Sequence, residues 1–237
     1  MAQPPVVALI PARKGSKRVI NKNMQQFHGR PLAEWTLDLA REAGVFNKVY
    51  ISTDDDTLAA LAGGDSLFEV FSRPDELAND TATVLQVMEQ IAAQAKLSPD
   101  TILVLLQVTA PLRVVSDITV ALELFERHGR TRTVVSVSEC LSPPMLTWEI
   151  RDDTLVSPFA GDQPLITRKQ NYATSYYWND VVLVDSIAGF SAPGRNLFGP
   201  APVPLVIPHE RGIGIDYPVQ FATAEALFPP TDERKQA

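Results

Sequence analysis

The sequence predicts an α/β protein with a mostly parallel central sheet. Two patterns predict it. Between residues 6 and 138, short apolar runs alternate with stretches of helical period. The apolar runs are hydrophobic throughout rather than at every second position, as strands covered by helices on both faces require. A length of 237 residues, with 45% hydrophobic and 21% charged positions, fits one ordinary soluble domain with a sizeable core.

Each element follows in order. Val6 to Ile10, preceded by Pro4-Pro5 and closed by Pro11, reads as a first buried strand. Arg13 to Phe27 is polar, contains Gly15 and lacks a helical period, so it reads as a loop. Pro31 to Ala43 sets Leu32, Trp35, Leu39 and Ala43 on one face, with Pro31 near the first turn and Gly44 past the end, which predicts a helix. Lys48 to Thr53 is β-rich, and Asp54 to Leu61 reads as a helix capped by Thr53 or Asp54. Leu67 to Phe71 is the next strand. Asp80 to Ala95 reads as a helix with Val84, Val87, Met88 and Ile91 on its apolar face. Thr101 to Leu106 is a continuously apolar strand, Ser116 to Arg127 a helix with Ser116 as N-cap, and Thr133 to Val137 a strand.

The rhythm then breaks. Residues 140–178 contain Pro143, Pro144, Pro158 and Pro164 and no helical period, which predicts an excursion from the sheet. Five of its aromatics, Phe159, Tyr172, Tyr176, Tyr177 and Trp178, suit either a substrate cover or a dimer interface. Val181 to Val184 reads as a strand, Ile213 to Asp216 as a short strand end, and Tyr217 to Phe228 as a helix with Pro218 in its first turn.

Charge narrows the function. A net charge of −7 argues against a partner made of nucleic acid. The single cysteine, Cys140, excludes an intramolecular disulfide and Cys₄ or Cys₂His₂ zinc sites. No run nears the roughly 18 apolar residues that span a bilayer, and the N-terminus lacks a signal-peptide pattern, so a cytoplasmic location is expected. Against the acidic average stands a basic island: Arg13 to Arg30 holds six Lys/Arg and no Asp or Glu.

Open α/β sheets bind ligands beyond the carboxyl ends of their strands. Three polar segments are so placed: Pro11–Asn23, Gln107–Arg113 and the region of Asp216. In the first, Arg13, Lys14, Lys17, Arg18 and Lys22 surround Gly15 and Ser16. These cations repel one another unless an anion arrives, which predicts a phosphate cradle. The bland alternative is a solvated basic loop; the position directly after the first strand favours the cradle. The segment is neither a P-loop nor a Gly-x-Gly-x-x-Gly turn.

These residues carry a resemblance. Ala8-Leu-Ile-Pro-Ala-Arg-Lys-Gly-Ser-Lys17 with Asn21-Lys-Asn23 resembles the CTP-binding signature of the acylneuraminate (sialic acid) cytidylyltransferases, shared by the pseudaminic and legionaminic acid enzymes. Gly29–Leu32, Ile51–Asp55, Ser72–Leu77, Asn79–Thr81, Leu105–Arg113 and Ile213–Pro218 are similar to later segments of that family, in the same order. The resemblance implies a three-layer, Rossmann-like nucleotidyltransferase fold with a dimerising arm at 140–178 inside a single domain, 1–237. It implies transfer of CMP from CTP to an acidic sugar, a sialic-acid-like nonulosonic acid, with release of pyrophosphate. Mg²⁺ is the implied cofactor and a homodimer the implied assembly, its arm reaching the partner's site. Arg13, Ser16, Lys17 and Lys22 match positions that hold the triphosphate; of these Arg13, Lys17 and Lys22 are the expected catalytic cations. Asn23 and Arg73 match nucleotide-binding positions, and Asp80 and Thr81 lie in a cytidine-side segment. Gln107, Arg168, Tyr177 and Asn179 fall at positions on the sugar-acid side, and Asp216 matches a magnesium-binding aspartate.

The sequence also departs from the pattern. Gly214 stands where the family's first aspartate is usual, so only Asp216 remains there, and Asp216 equally suits a helix N-cap. Near Tyr176–Asp180 the family's arginine is absent, with Tyr176 or Tyr177 in its place, and Asp180 replaces a glycine. An expected lysine aligns near Leu146. Fewer cations weaken bidentate grip on a carboxylate. That leaves open a different acid, such as a phosphonate, or a catalytically impaired CTP-binding protein.

Overall fold

The computed structural model describes residues 3–79, 81–159, 168 and 171–229. In chain order the elements are β1 (Val6–Pro11), β2 (Gln26–Phe27), β3 (Arg30–Pro31), α1 (Leu32–Ala43), β4 (Lys48–Thr53), α2 (Asp56–Leu61), β5 (Phe68–Ser72) and α3 (Val84–Gln94). Then come β6 (Ile102–Leu105), α4 (Val115–Arg127), β7 (Val134–Glu139), β8 (Glu149–Arg151), β9 (Thr154–Val156), β10 (Tyr176–Ser186), α5 (Ile187–Phe190), β11 (Val203–Val206) and α6 (Pro218–Leu227).

A seven-stranded sheet runs β11-β7-β10-β6-β1-β4-β5. β1 pairs in parallel with β4 and with β6, β4 with β5, and β7 with β11. β10 is the antiparallel member, lying between β6 and β7. The alternation along β1 sorts its side chains to two cores. Ala8 and Ile10 pack with Leu32 and Leu39 of α1, Ile118 and Phe125 of α4 and Ala224 of α6. Val7 and Leu9 pack with Val87, Met88 and Ile91 of α3 and Phe190 of α5. Leu9 and Ile10 are fully buried, each contributing roughly 1.5–3 kcal/mol of apolar burial. The three-layer, mostly parallel α/β architecture expected from the sequence is the one observed.

Several boundaries differ, each for a local reason. α2 is capped by Asp55, whose Oδ1 accepts from the amides of Thr57 and Leu58. Thr53 is committed elsewhere: its hydroxyl donates to the Ala12 carbonyl. α3 begins at Val84, because Thr83 and Gln86 form a reciprocal capping box. α4 begins at Val115, and Asp117 Oδ2 accepts from the Val114 amide, so Ser116 lies inside the helix. Residues 213–216 join no ladder; the Ile215 amide donates instead to the Thr109 carbonyl. β11 and α5 carry too little periodicity to be read from sequence, β11 because Pro204 interrupts a short edge strand.

The excursion proves shorter than expected. β10 starts at Tyr176, where Tyr176, Tyr177 and Trp178 pair with Glu139, Ser138 and Val137. Before it lies the small hairpin β8–β9, with Ile150, Leu155 and Trp148 exposed.

Candidate active site

The basic loop is pinned to the sheet at both ends. After β1, the Ala12 amide donates to the Ser52 carbonyl and Thr53 Oγ1 donates to the Ala12 carbonyl at 2.6 Å. The Lys14 amide donates to Asp54 Oδ1 at 2.7 Å, and Asn23 Nδ2 donates to the Arg13 carbonyl at 2.9 Å. Asn21, in the left-handed region at φ 51°, turns the chain into a 3₁₀ turn at Lys22–Met24. The loop thereby sets Arg13, Ser16, Lys22 and Asn23 around a cleft of about 370 Å³. Arg73, Gln107 and Asp216 complete its polar walls. Lys17 and Arg18 line an adjoining recess with Arg13, Ser16 and Lys22. The cleft lies where the strand order reverses, beyond the carboxyl ends of β1 and β6.

Arg73 follows β5 and is 7% exposed. Its guanidinium donates to Ser52 Oγ and to the Ser52 carbonyl. Burial, with the nearby Arg13 charge adding to it, draws its pKa below the usual guanidinium value, against the pull of Asp54. A buried cation facing other cations is built for an anionic visitor.

Opposite the cations stand two carboxylates. Asp216 Oδ1 lies 3.1 Å from Lys22 Nζ, which also donates to the Ile215 carbonyl. Asp216 does not cap α6. Tyr217 holds the N-cap position, and Gln220 Oε1 accepts from the amides of both Asp216 and Tyr217. The carboxylate of Asp216 is thus left to the cleft.

The second carboxylate, Asp180, was missed as a site residue. It lines the cleft from β10 and accepts from Gln107 Nε2 at 2.8 Å. Its backbone sits in the left-handed region, φ 62°, inside the register shift between Trp178 and Leu183. Burial, and then the charge of Asp216, push its pKa up to about 6, against Lys22 and Arg113. Arg113, 1% exposed, braces this corner by donating to the carbonyls of Val181 and Gln107. Asn79 and Trp178 also line the cleft. For Asp180 the available signal was period-two alternation. Trp178 and Asp180 lie on one side of a strand that begins at Tyr176.

Four expected site residues are not brought to the cleft wall. Thr81 is exposed, its amide and hydroxyl both held by Asn79 Oδ1. Asn179 is 2% exposed: its amide nitrogen donates to Ser138 Oγ and its oxygen accepts from the Val181 amide, so it ties strands together. Tyr177 faces His209 and Gly212, its hydroxyl 3.4 Å from His209 Nδ1 and from the Gly212 carbonyl. Arg168 is exposed and does not line the cleft. Asp80 lies outside the described residues.

Among the described residues no three His, Cys, Asp or Glu gather as a complete metal cage. Two carboxylates beside a cationic cradle are nonetheless the donor set that Mg²⁺ uses, with substrate phosphates and water supplying the rest.

A family model described as "Cytidylyltransferase" matches residues 7–147. The chain is 28% identical to the N-acylneuraminate cytidylyltransferase of Escherichia coli, over 97% of this chain and 54% of that protein. It is 31% identical to the N-acylneuraminate cytidylyltransferase of Streptococcus agalactiae, over 76% of this chain and 43% of that protein. It thus spans about half the length of these curated relatives. A match of near-equal length is the CMP-N,N'-diacetyllegionaminic acid synthase of Legionella pneumophila, 28% identical over 94% of this chain and 96% of that one. Among solved structures, a CMP:2-keto-3-deoxy-manno-octonic acid synthetase complexed with CTP superposes over 94% of this chain and 98% of that one with TM-score 0.66 at 16% identity, a likeness of fold.

Proposed function

The chain belongs to the cytidylyltransferase family, and we propose that its cleft binds CTP and transfers CMP to an acidic sugar of the nonulosonic class. The observation that carries this reading is the convergence of Arg13, Lys22 and buried Arg73 with the Asp216 carboxylate in one cleft of about 370 Å³. That volume lies near the lower end for small-ligand sites and opens into the Lys17–Arg18 recess.

In this reading Arg13, Ser16, Lys17 and Lys22 hold the triphosphate. Asn23 and Arg73 hold the nucleoside side, and Gln107 faces the acid. The acceptor hydroxyl attacks the α-phosphorus in line. The new O–P bond forms as the bond to the bridging oxygen breaks, pyrophosphate departs, and the hydroxyl proton is released. The cations neutralise charge that builds on the leaving pyrophosphate. Mg²⁺, held by Asp216 with phosphate oxygens, would supply further charge neutralisation there. Lys22 ties Asp216 to the cradle through a 3.1 Å ion pair.

The exposed apolar side chains Leu141, Trp148, Ile150, Leu155 and Phe159 support a homodimer formed through the 140–178 segment. A cytoplasmic location belongs to the same reading, since CTP is an intracellular nucleotide.

The test is pyrophosphate release from CTP, and from ATP, GTP and UTP as controls, across a panel of nonulosonic acids and phosphonates. Turnover with CTP and a nonulosonic acid supports the reading. Turnover with a phosphonate instead relocates the substrate class. Tight CTP binding by calorimetry, with no turnover on any acid and no Mg²⁺ dependence, makes the chain a binding protein.

A further inference from the structure

We propose that Asp180 is the second metal-holding carboxylate of this chain, gripping the divalent cation together with Asp216. The proposal rests on the reading of the cleft as a CTP site. The two aspartates arrive from different elements, Asp180 from β10 and Asp216 from the segment before α6. Gly214 makes room for the first of them. A Cβ at position 214 would stand 3.2 Å from Asp180 Oδ2. The Asp180 carboxylate therefore fills the space that a side chain at 214 would enter. Gln107 Nε2 holds Oδ1, which orients the carboxylate. Lys22 pairs with Asp216, and its charge also acts on Asp180.

The carboxylate has one side-chain donor, Gln107, and the charges of Lys22 and Arg113 to offset its burial beside Asp216. At φ 62° an aspartate is less comfortable than a glycine, and its charge is desolvated beside a second negative charge. Strained and desolvated groups of this kind collect where a ligand later satisfies them. A divalent cation placed between two carboxylates converts their repulsion into a shared attraction. One or two carboxylates completed by phosphates and water is the ordinary magnesium arrangement. A cation held from both sides of the cleft would also join β10 to the α6 segment across the nucleotide.

Mn²⁺ serves as the probe. Its binding to the protein–CTP complex is measured by electron paramagnetic resonance for the native chain, Asp180→Asn, Asp180→Gly, and the double variant Asp180→Gly/Gly214→Asp. CTP binding without metal is followed by calorimetry and folding by thermal melting. Gly214 is not in the left-handed region, so it accepts a side chain once Asp180 is removed. Both single variants should lower Mn²⁺ affinity tenfold or more, keep metal-free CTP binding, and melt no lower than the native chain. The double variant should recover most of the lost affinity, since it returns a carboxylate to the same gap from the other side. Undiminished Mn²⁺ affinity in both single variants overturns the proposal, even if turnover falls. A native chain that binds CTP but no Mn²⁺ overturns it as well. A native chain that binds neither overturns the CTP reading and this proposal with it.

Discussion

The cationic half of the cleft and the half beside the 140–178 excursion are built by different means. The first hangs from the carboxyl ends of parallel strands. Arg13 follows β1, Arg73 follows β5 and Gln107 follows β6, each within two residues of the strand's end. Buried hydrogen bonds such as Thr53 Oγ1 to the Ala12 carbonyl fix where those loops begin. The second half hangs from one antiparallel strand, β10, with a register shift inside it. There a displacement of one residue turns a side chain from cleft to core. Trp178 and Asp180 line the cleft, while Tyr177 and Asn179 between and beside them do not. A motif placed by topology keeps its geometry; a motif placed by strand register needs the register to be known.

The sharpest way to break that comparison is at Lys22. Its side chain is 11% exposed and its ammonium holds both Asp216 and the Ile215 carbonyl. Lys22→Ala should lower turnover by about 10²–10³-fold, about 3–4 kcal/mol of transition-state stabilisation. Lys17→Ala, in the adjoining recess, should also cost orders of magnitude. Steady-state pyrophosphate release reads both. Near-native rates in both variants would mean that the cationic half is not the triphosphate site.

Asp180 gives the next largest effect, on stability. Its folded pKa, about 6, lies above the usual carboxylate range, so the folded state holds this proton more tightly. The group's stabilising contribution is therefore present below about pH 4 and is lost as pH rises through 6. Two pH units correspond to at most about 3 kcal/mol. In metal-free buffer the native chain should lose stability between pH 4 and pH 7 relative to Asp180→Asn. Urea melts at both pH values measure it, and parallel pH curves for the two chains would show that Asp180 is not buried against Asp216.

The same contrast explains what the sequence made legible. The strand–helix alternation and the loop after the first strand need only local pattern, and both stand in the structure where they were expected. Two departures at Gly214 and Asp180 looked like separate losses along the chain. In space they are one exchange, since the carboxylate enters from β10 into the room left at 214. Linear sequence cannot show that residues 34 positions apart share a gap. Asp216 was ambiguous for a similar reason: the cap of α6 depends on Gln220 reaching back, which frees the aspartate. Asn179 falls inside the sheet because β10 begins at Tyr176, before the apolar run that announced it.

Asn179 sharpens the distinction between holding the fold and holding the substrate. Asn179→Ala removes the bond to Ser138 Oγ and leaves the Val181 amide without its side-chain acceptor. A loss of about 2 kcal/mol in unfolding free energy is expected. Turnover at a temperature where the variant is folded should stay within about threefold of native. A large rise in acceptor KM without a fall in melting temperature would return Asn179 to the site.

Tyr177 gives the smallest effect and the most delicate test. Its hydroxyl lies 3.4 Å from both His209 Nδ1 and the Gly212 carbonyl, which is long for a hydrogen bond from a phenol, and it also meets the Ser138 side chain. Burial raises its pKa, so it is neutral at working pH. Tyr177→Phe should therefore change stability by no more than about 0.5 kcal/mol and turnover by less than about twofold. Melting curves and acceptor KM together check this. A tenfold rise in acceptor KM with unchanged melting would mean that the phenol meets substrate in the working assembly. The face carrying His209 and Gly212 would then be part of an acceptor site, and the two halves of the molecule would differ in when they are assembled rather than in what they do.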